Sequence, residues 1–175
     1  MNPLLRHVIE TYESETKKLA SVWTQFCDAD LDYRPHAKSM TVREIMRHQL
    51  LSERRFFAEF LGSPEPVAGE AVPAEDSVAA LTARVTELAL PRLEYLKSRT
   101  DAWWLEQRPF FGGLQRERIW VFWRRVLHTC HHRTQVQTWL RLAGRPVPAI
   151  YGPSGDVKWD EADPTYSLEA ARRGG

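Results

Sequence analysis

Apolar residues recur at three- and four-residue steps through four long stretches of the chain, the periodicity of amphipathic helices. The first stretch, residues 4 to 26, places Leu4, Leu5, Val8, Ile9, Tyr12, Leu19, Val22, Trp23 and Phe26 on one stripe, which predicts a helix of about six turns. Asp28 to Lys38 carries Asp28, Asp30, Asp32 and Pro35 with no helical period, and reads as a connection holding at most a short helical turn. Thr41-Val-Arg-Glu44 fits a capping box, in which the Thr41 hydroxyl meets a free amide and Glu44 reaches back to the Thr41 N–H. The second helix follows through Ile45, Met46, Leu50, Phe56, Phe57 and Phe60, and Gly62-Ser-Pro-Glu-Pro stops it.

After a loop of about 14 residues, long enough for a crossover, Asp76 or Ser77 can cap a third helix striped by Val78, Leu81, Val85, Leu88 and Leu96. Pro91 removes an amide there and is expected to kink it. Residues 101 to 114 hold Trp103, Trp104, Pro109, Phe110, Phe111, Gly112 and Gly113, an aromatic loop too interrupted for one helix. A fourth helix is expected from Gln115 to Ala143, ended by Gly144 and Pro146. No strand and no internal repeat is expected. Four helices with one apolar face each predict an all-α four-helix bundle over residues 1–150, followed by an irregular tail over 151–175.

Composition changes this picture little. The chain has 175 residues with 43% hydrophobic content, enough for one domain with its own core. With 24 basic and 23 acidic residues its net charge is +1, which offers no global field for nucleic acid or an anionic membrane. The six scattered arginines of the fourth helix read as a solvated face. No window reaches the ~20 apolar residues of a membrane span and the N-terminus lacks a secretory pattern, so a soluble, cytoplasmic protein is expected. Cys27 and Cys130 form no CxxC pair and suggest neither a disulfide framework nor a cysteine zinc site.

The candidate chemistry lies in the histidines. His128 and His132, four apart on a helix, stand one turn above the other with directions about 40° apart, so both rings can share one ion. Val121, Arg125, Gln135, Trp139 and Leu142 lie in line with them, a seam of the kind that faces neighbouring helices. His131 is turned about 60° from His128, on the far side of the pair. His48, bordering the apolar arc of the second helix near Ser52, is the best-placed third ligand, ahead of His7 at a helix start and His36 in a loop. An ion would satisfy one nitrogen of each ring at once, where each buried failure costs ~1–3 kcal/mol. From spacing alone, separately hydrogen-bonded histidines remain the alternative. Thr129 follows His128, so the glutamate of an HExxH protease is absent, and no Glu-x-x-His occurs to build a di-iron carboxylate site.

Tyr33-Arg-Pro, Thr41-Val-Arg-Glu-Ile-Met-Arg-His48 and His128-Thr-Cys-His-His132-Arg-Thr-Gln135 together resemble the DinB-like family, also called the DinB/YfiT superfamily, over roughly residues 4 to 145. The resemblance implies an up-down-down-up bundle, metal ligation by His48, His128 and His132, open coordination positions and a homodimer. It implies nickel or zinc as the divalent transition metal, with iron or manganese as further options, and in some relatives a low-molecular-weight thiol as cosubstrate. Thr134 stands where the family frequently has glycine, a difference that touches helix packing and not the ligands.

Three nitrogen ligands and an open position suit a catalytic ion that polarises a substrate oxygen, lowers the pKa of water toward ~7 or holds a thiol as thiolate. The expected function is therefore a metal-dependent enzyme of hydrolase or thiol-dependent transferase type, acting on a small molecule. Arg125 and Gln135 are the candidate catalytic residues. The aromatic loop around Trp103, Trp104, Phe110 and Phe111, with Tyr151 of the tail, is expected to wall the pocket. The alternative is a nonenzymatic, dimerising bundle whose ion merely ties two helices together.

Overall fold

The computed structural model describes residues 2–158. Helix α1 spans Pro3–Trp23, with proline in its first turn and the Asn2 side chain accepting from the Leu4 N–H at 2.9 Å. Helix α2 spans Val42–Arg55. Its capping box forms as the sequence predicts: Glu44 N–H donates to Thr41 Oγ1 at 3.1 Å and Thr41 N–H to Glu44 Oε2 at 2.7 Å. The helix then widens into a π-helical segment, Phe56–Leu61, and ends at Gly62, whose φ of 75° is the left-handed turn that glycine allows.

A short helix α3, Ala68–Ala71, lies within the following loop. Helix α4 spans Val78–Lys97, capped by Ser77, whose hydroxyl accepts from Ala80 N–H at 3.1 Å. It stays helical through Pro91, where a kink was expected. Pro91 lies on the solvent side, so the carbonyl left without its amide can be met by water.

The aromatic stretch corrects the strand-free expectation. Helix α5, Asp101–Leu105, is followed by strand β1, Gln107–Pro109, and strand β2, Gln115–Glu117, paired antiparallel with Arg108 opposite Arg116. Gly112 and Gly113, at φ 69° and 78°, turn the chain back between them. Three-residue strands made of Gln, Arg, Pro and Glu carry no apolar alternation, which is why periodicity misses them. Helix α6 therefore starts at Arg118 rather than Gln115, and it ends at Leu142.

Two apolar clusters fix the chain directions. One joins Leu19, Val22 and Trp23 of α1 with Val42, Ile45 and Met46 of α2, Val78 and Leu81 of α4, and Val136, Trp139 and Leu140 of α6. The other joins Leu5, Val8 and Ile9 with Phe56, Phe57 and Phe60, Leu93 and Leu96, and Val121 and Phe122. The end of α1, the starts of α2 and α4 and the end of α6 therefore share one pole. That is an up-down-down-up bundle. Helix α1 packs against α4 and α6, and α2 against the same two, so α1 and α2 stand on a diagonal.

From residue 143 to 158 the chain is irregular, but it is held. Ala149, Ile150 and Val157 are buried, and Arg141 pairs with Asp156 through two bonds of 3.0 and 2.5 Å. The side chain of Glu15, buried on α1, accepts from Lys18 Nζ at 2.9 Å, Arg133 Nη2 at 3.0 Å, the Cys130 thiol at 3.0 Å and the Tyr151 hydroxyl. Lys18 also sits over the Tyr151 ring. Residues 159–175, most of the expected tail, lie outside the described residues. Among the described residues no helix is long and apolar enough to cross a membrane.

Candidate metal centre

His48 sits in the second turn of α2, at the edge of the buried arc of Ile45, Met46, Gln49 and Glu53. His128 and His132 sit mid-way along α6. Because α2 packs against α6, the three rings converge, with centroids 4.5 Å apart for His128–His132, 4.9 Å for His48–His132 and 5.5 Å for His48–His128. Each ring offers one nitrogen to a group whose atoms all lie within 4.8 Å of one another. All three side chains are partly buried.

The remaining histidines lie elsewhere. His131 is exposed and touches only the rim of the group, 5.0 Å from the His132 ring centroid. His7 pairs with Glu10, and His36 accepts from the Lys38 N–H in its loop. Glu44 is taken up by the cap and by Arg34. Of the seam along α6, Val121, Arg125 and Trp139 are buried and Gln135 is partly buried, whereas Leu142 is 62% exposed.

The surroundings orient the rings. His132 Nδ1 lies 3.1 Å from Gln135 Oε1, so Nδ1 carries the hydrogen, and Nε2 keeps a lone pair for an ion. His128 Nδ1 lies 2.9 Å from Arg125 Nη1, and the two Nε2 atoms face each other at 3.3 Å. Arg125 is held on its other sides by Ser52 Oγ and Thr129 Oγ1, both at 2.9 Å, and by Glu53 Oε2 at 3.4 Å. Glu53 in turn accepts from Tyr12 at 2.6 Å and from Arg92 at 2.9 Å, and Arg92 grips Glu65 through bonds of 2.7 and 2.6 Å. This buried brace joins α1, α2, α4 and α6.

Burial lowers the affinity of all three rings for protons, and the Arg125 charge adds to it at His48 and His128, which is held at about 3. The imidazoles are therefore neutral at ordinary pH, the state in which they can ligate a metal. A set of three nitrogens without carboxylate or thiolate suits zinc, nickel, iron or copper over magnesium or calcium. The residues fit such an ion.

The aromatic loop does something other than was expected of it. Trp104 is fully buried, edge-on to Phe122, and Trp103 packs on Tyr95 and under Arg118. Phe110 and Phe111 cover Phe56 and Phe60. Their link to the centre runs through Phe56, whose ring faces the Arg125 guanidinium at 5.8 Å. Tyr151 is clasped to Glu15 and Arg133 instead. Sequence reasoning did not pick out Ser52, Glu53, Arg92 or Thr129. Glu53 and Arg92 did leave a signal, as ionisable residues in phase with the apolar stripes of their helices.

A helical bundle carrying three inward imidazoles on its second and last long helices is a candidate metal-binding protein. The chain matches the DinB family over residues 1–164 and belongs to it. Among solved structures it is similar to a DinB-like protein from Bacillus cereus, with TM-score 0.73 and 19% identity over 82% of this chain and 95% of that one. A DinB-like protein from Bacillus subtilis gives 0.65 and 16%, over 82% and 96%. A protein assigned to the DinB family from Exiguobacterium sibiricum gives 0.62 and 18%, over 91% and 98%. These likenesses concern the fold. No curated protein matches the chain.

Proposed function

We propose that the protein is a metal-dependent enzyme that acts on a small molecule at the centre formed by His48, His128 and His132. The observation that carries this reading is the convergence of three neutral imidazoles with no fourth protein ligand in the group among the described residues. A structural zinc site closes its coordination with four protein ligands, whereas a catalytic one leaves a position for substrate. When bound, the ion supplies Lewis acidity, which serves hydrolysis or the activation of a low-molecular-weight thiol for transfer. Gln135 orients His132, and Arg125 lies against Nδ1 of His128. Nickel or zinc is the proposed metal, ahead of iron or manganese, and the proposed working form is a cytoplasmic homodimer.

The test is metal analysis of the purified protein beside His128→Ala and His132→Ala variants. About one equivalent of metal is expected in the wild type and a strong loss in both variants; equal contents would sink the reading. Melting with and without chelator then separates a catalytic ion from one that only ties α2 to α6. A purely structural ion costs several kcal/mol of stability on removal, and a small change is expected here.

A further inference from the structure

The two ligands on α6 are polarised in opposite senses. Gln135 offers His132 Nδ1 an acceptor, the usual arrangement behind a metal-bound imidazole. Arg125 offers His128 Nδ1 a donor, because a guanidinium has no lone pair to give. A neutral His128 that accepts at Nδ1 carries its hydrogen on Nε2, the nitrogen that faces His132. Ligation through Nε2 requires the hydrogen on Nδ1 instead, and two N–H groups would then point at each other across 2.9 Å. One N–H of Arg125 must then find a new acceptor. The guanidinium itself is not free to leave, since Ser52, Thr129 and Glu53 hold it from other directions.

Charge points the same way. Glu53 and Glu65 balance Arg92 and Arg125, so the buried brace is neutral without the centre. Burial and the Glu53 carboxylate keep the Tyr12 phenol protonated. A divalent ion held by three neutral imidazoles adds two positive charges beside Arg125, and no carboxylate belongs to the ligand group. Uncompensated charge in a partly buried site favours an anion.

Resting on the metal reading above, we propose that the centre takes a small carboxylate, one oxygen of which receives the Arg125 N–H that metal loading releases from His128. Arg125 thus has two alternative partners, His128 Nδ1 and the ligand carboxylate. Metal and carboxylate bind cooperatively as a result. A single released N–H suits a monoanion; phosphate recognition ordinarily draws on several donors at once.

The first measurement uses the wild type alone. Long-range ¹H–¹⁵N NMR of the imidazoles should find His128 with its hydrogen on Nε2 in the metal-free protein and on Nδ1 after one equivalent of Zn²⁺. Hydrogen already on Nδ1 without metal overturns the proposal. In the second, Co²⁺ affinity is read from its visible spectrum with acetate, with phosphate and with neither. Acetate should tighten Co²⁺ binding about tenfold, phosphate should not, and Arg125→Lys, whatever its own Co²⁺ affinity, should lose most of the acetate effect. An undiminished effect in Arg125→Lys, or tightening by phosphate alone, overturns the carboxylate assignment and leaves the metal site standing. A wild type that binds neither Zn²⁺ nor Co²⁺ overturns both readings. Should Arg125→Lys fail to fold or to bind Co²⁺, the NMR result decides.

Discussion

Two of the buried arginines of helix α6, Arg125 and Arg133, stand eight residues apart and each meets a buried glutamate, yet the two clusters do different work. Around Arg125, two carboxylates face two guanidiniums deep between four helices, and one end of the chain of hydrogen bonds reaches His128. Around Arg133, the single Glu15 faces both Arg133 and Lys18, and the chain ends on Tyr151 of the C-terminal segment. There Cys130, pushed up to about 11 by burial and by Glu15, remains a protonated donor. The same chemistry serves as a brace for a site in one place and as a clasp for a strap in the other. What separates them is whether the hydrogen-bond chain reaches a ring of the three-histidine group or a passing loop.

Substitutions can break this contrast. Glu53→Ala should have the largest effect, because it strips Arg92, Arg125 and Tyr12 of a shared acceptor and leaves buried charge unpaired. A loss of about 3–5 kcal/mol is expected in denaturant unfolding, with weaker metal binding in whatever protein remains folded. Stability unchanged from wild type would mean the brace carries no weight. Gln135→Ala should come next. It removes the acceptor behind His132 and should cost 10–100-fold in metal affinity by competition with a chelating dye, with little change in melting temperature. Tyr151→Phe should be smallest, at about 1 kcal/mol, with metal affinity unaltered. If Tyr151→Phe shifts metal affinity as Gln135→Ala does, the two clusters are one system and the distinction fails.

The four long helices were legible because each buries one stripe over many turns: α1 and α4 run close to the predicted limits, and Thr41 and Glu44 announce the start of α2. The pair His128/His132 was legible for the same reason, since a four-residue step fixes direction within a helix. His48 needed the packing of α2 on α6, which periodicity suggests and does not specify. The hairpin was invisible because its strands are three polar residues each. The π-helical segment hid inside the run Phe56-Phe57-Ala58-Glu59-Phe60-Leu61, whose aromatic content fits either helical period. The brace was hidden because a buried charge is intelligible only beside its partner, and Glu53 and Arg92 lie 39 positions apart.

The diagonal placement of α1 and α2 has a consequence for timing during synthesis. In a bundle built from successive hairpins, the second helix covers the first as soon as it emerges. Here the stripe of α1 waits for α4, which ends at Lys97, and for α6, which ends at Leu142. Until Lys97 has left the ribosome, the apolar faces of α1 and α2 have no lasting cover, and the nascent chain is exposed to chaperones and to aggregation over that interval.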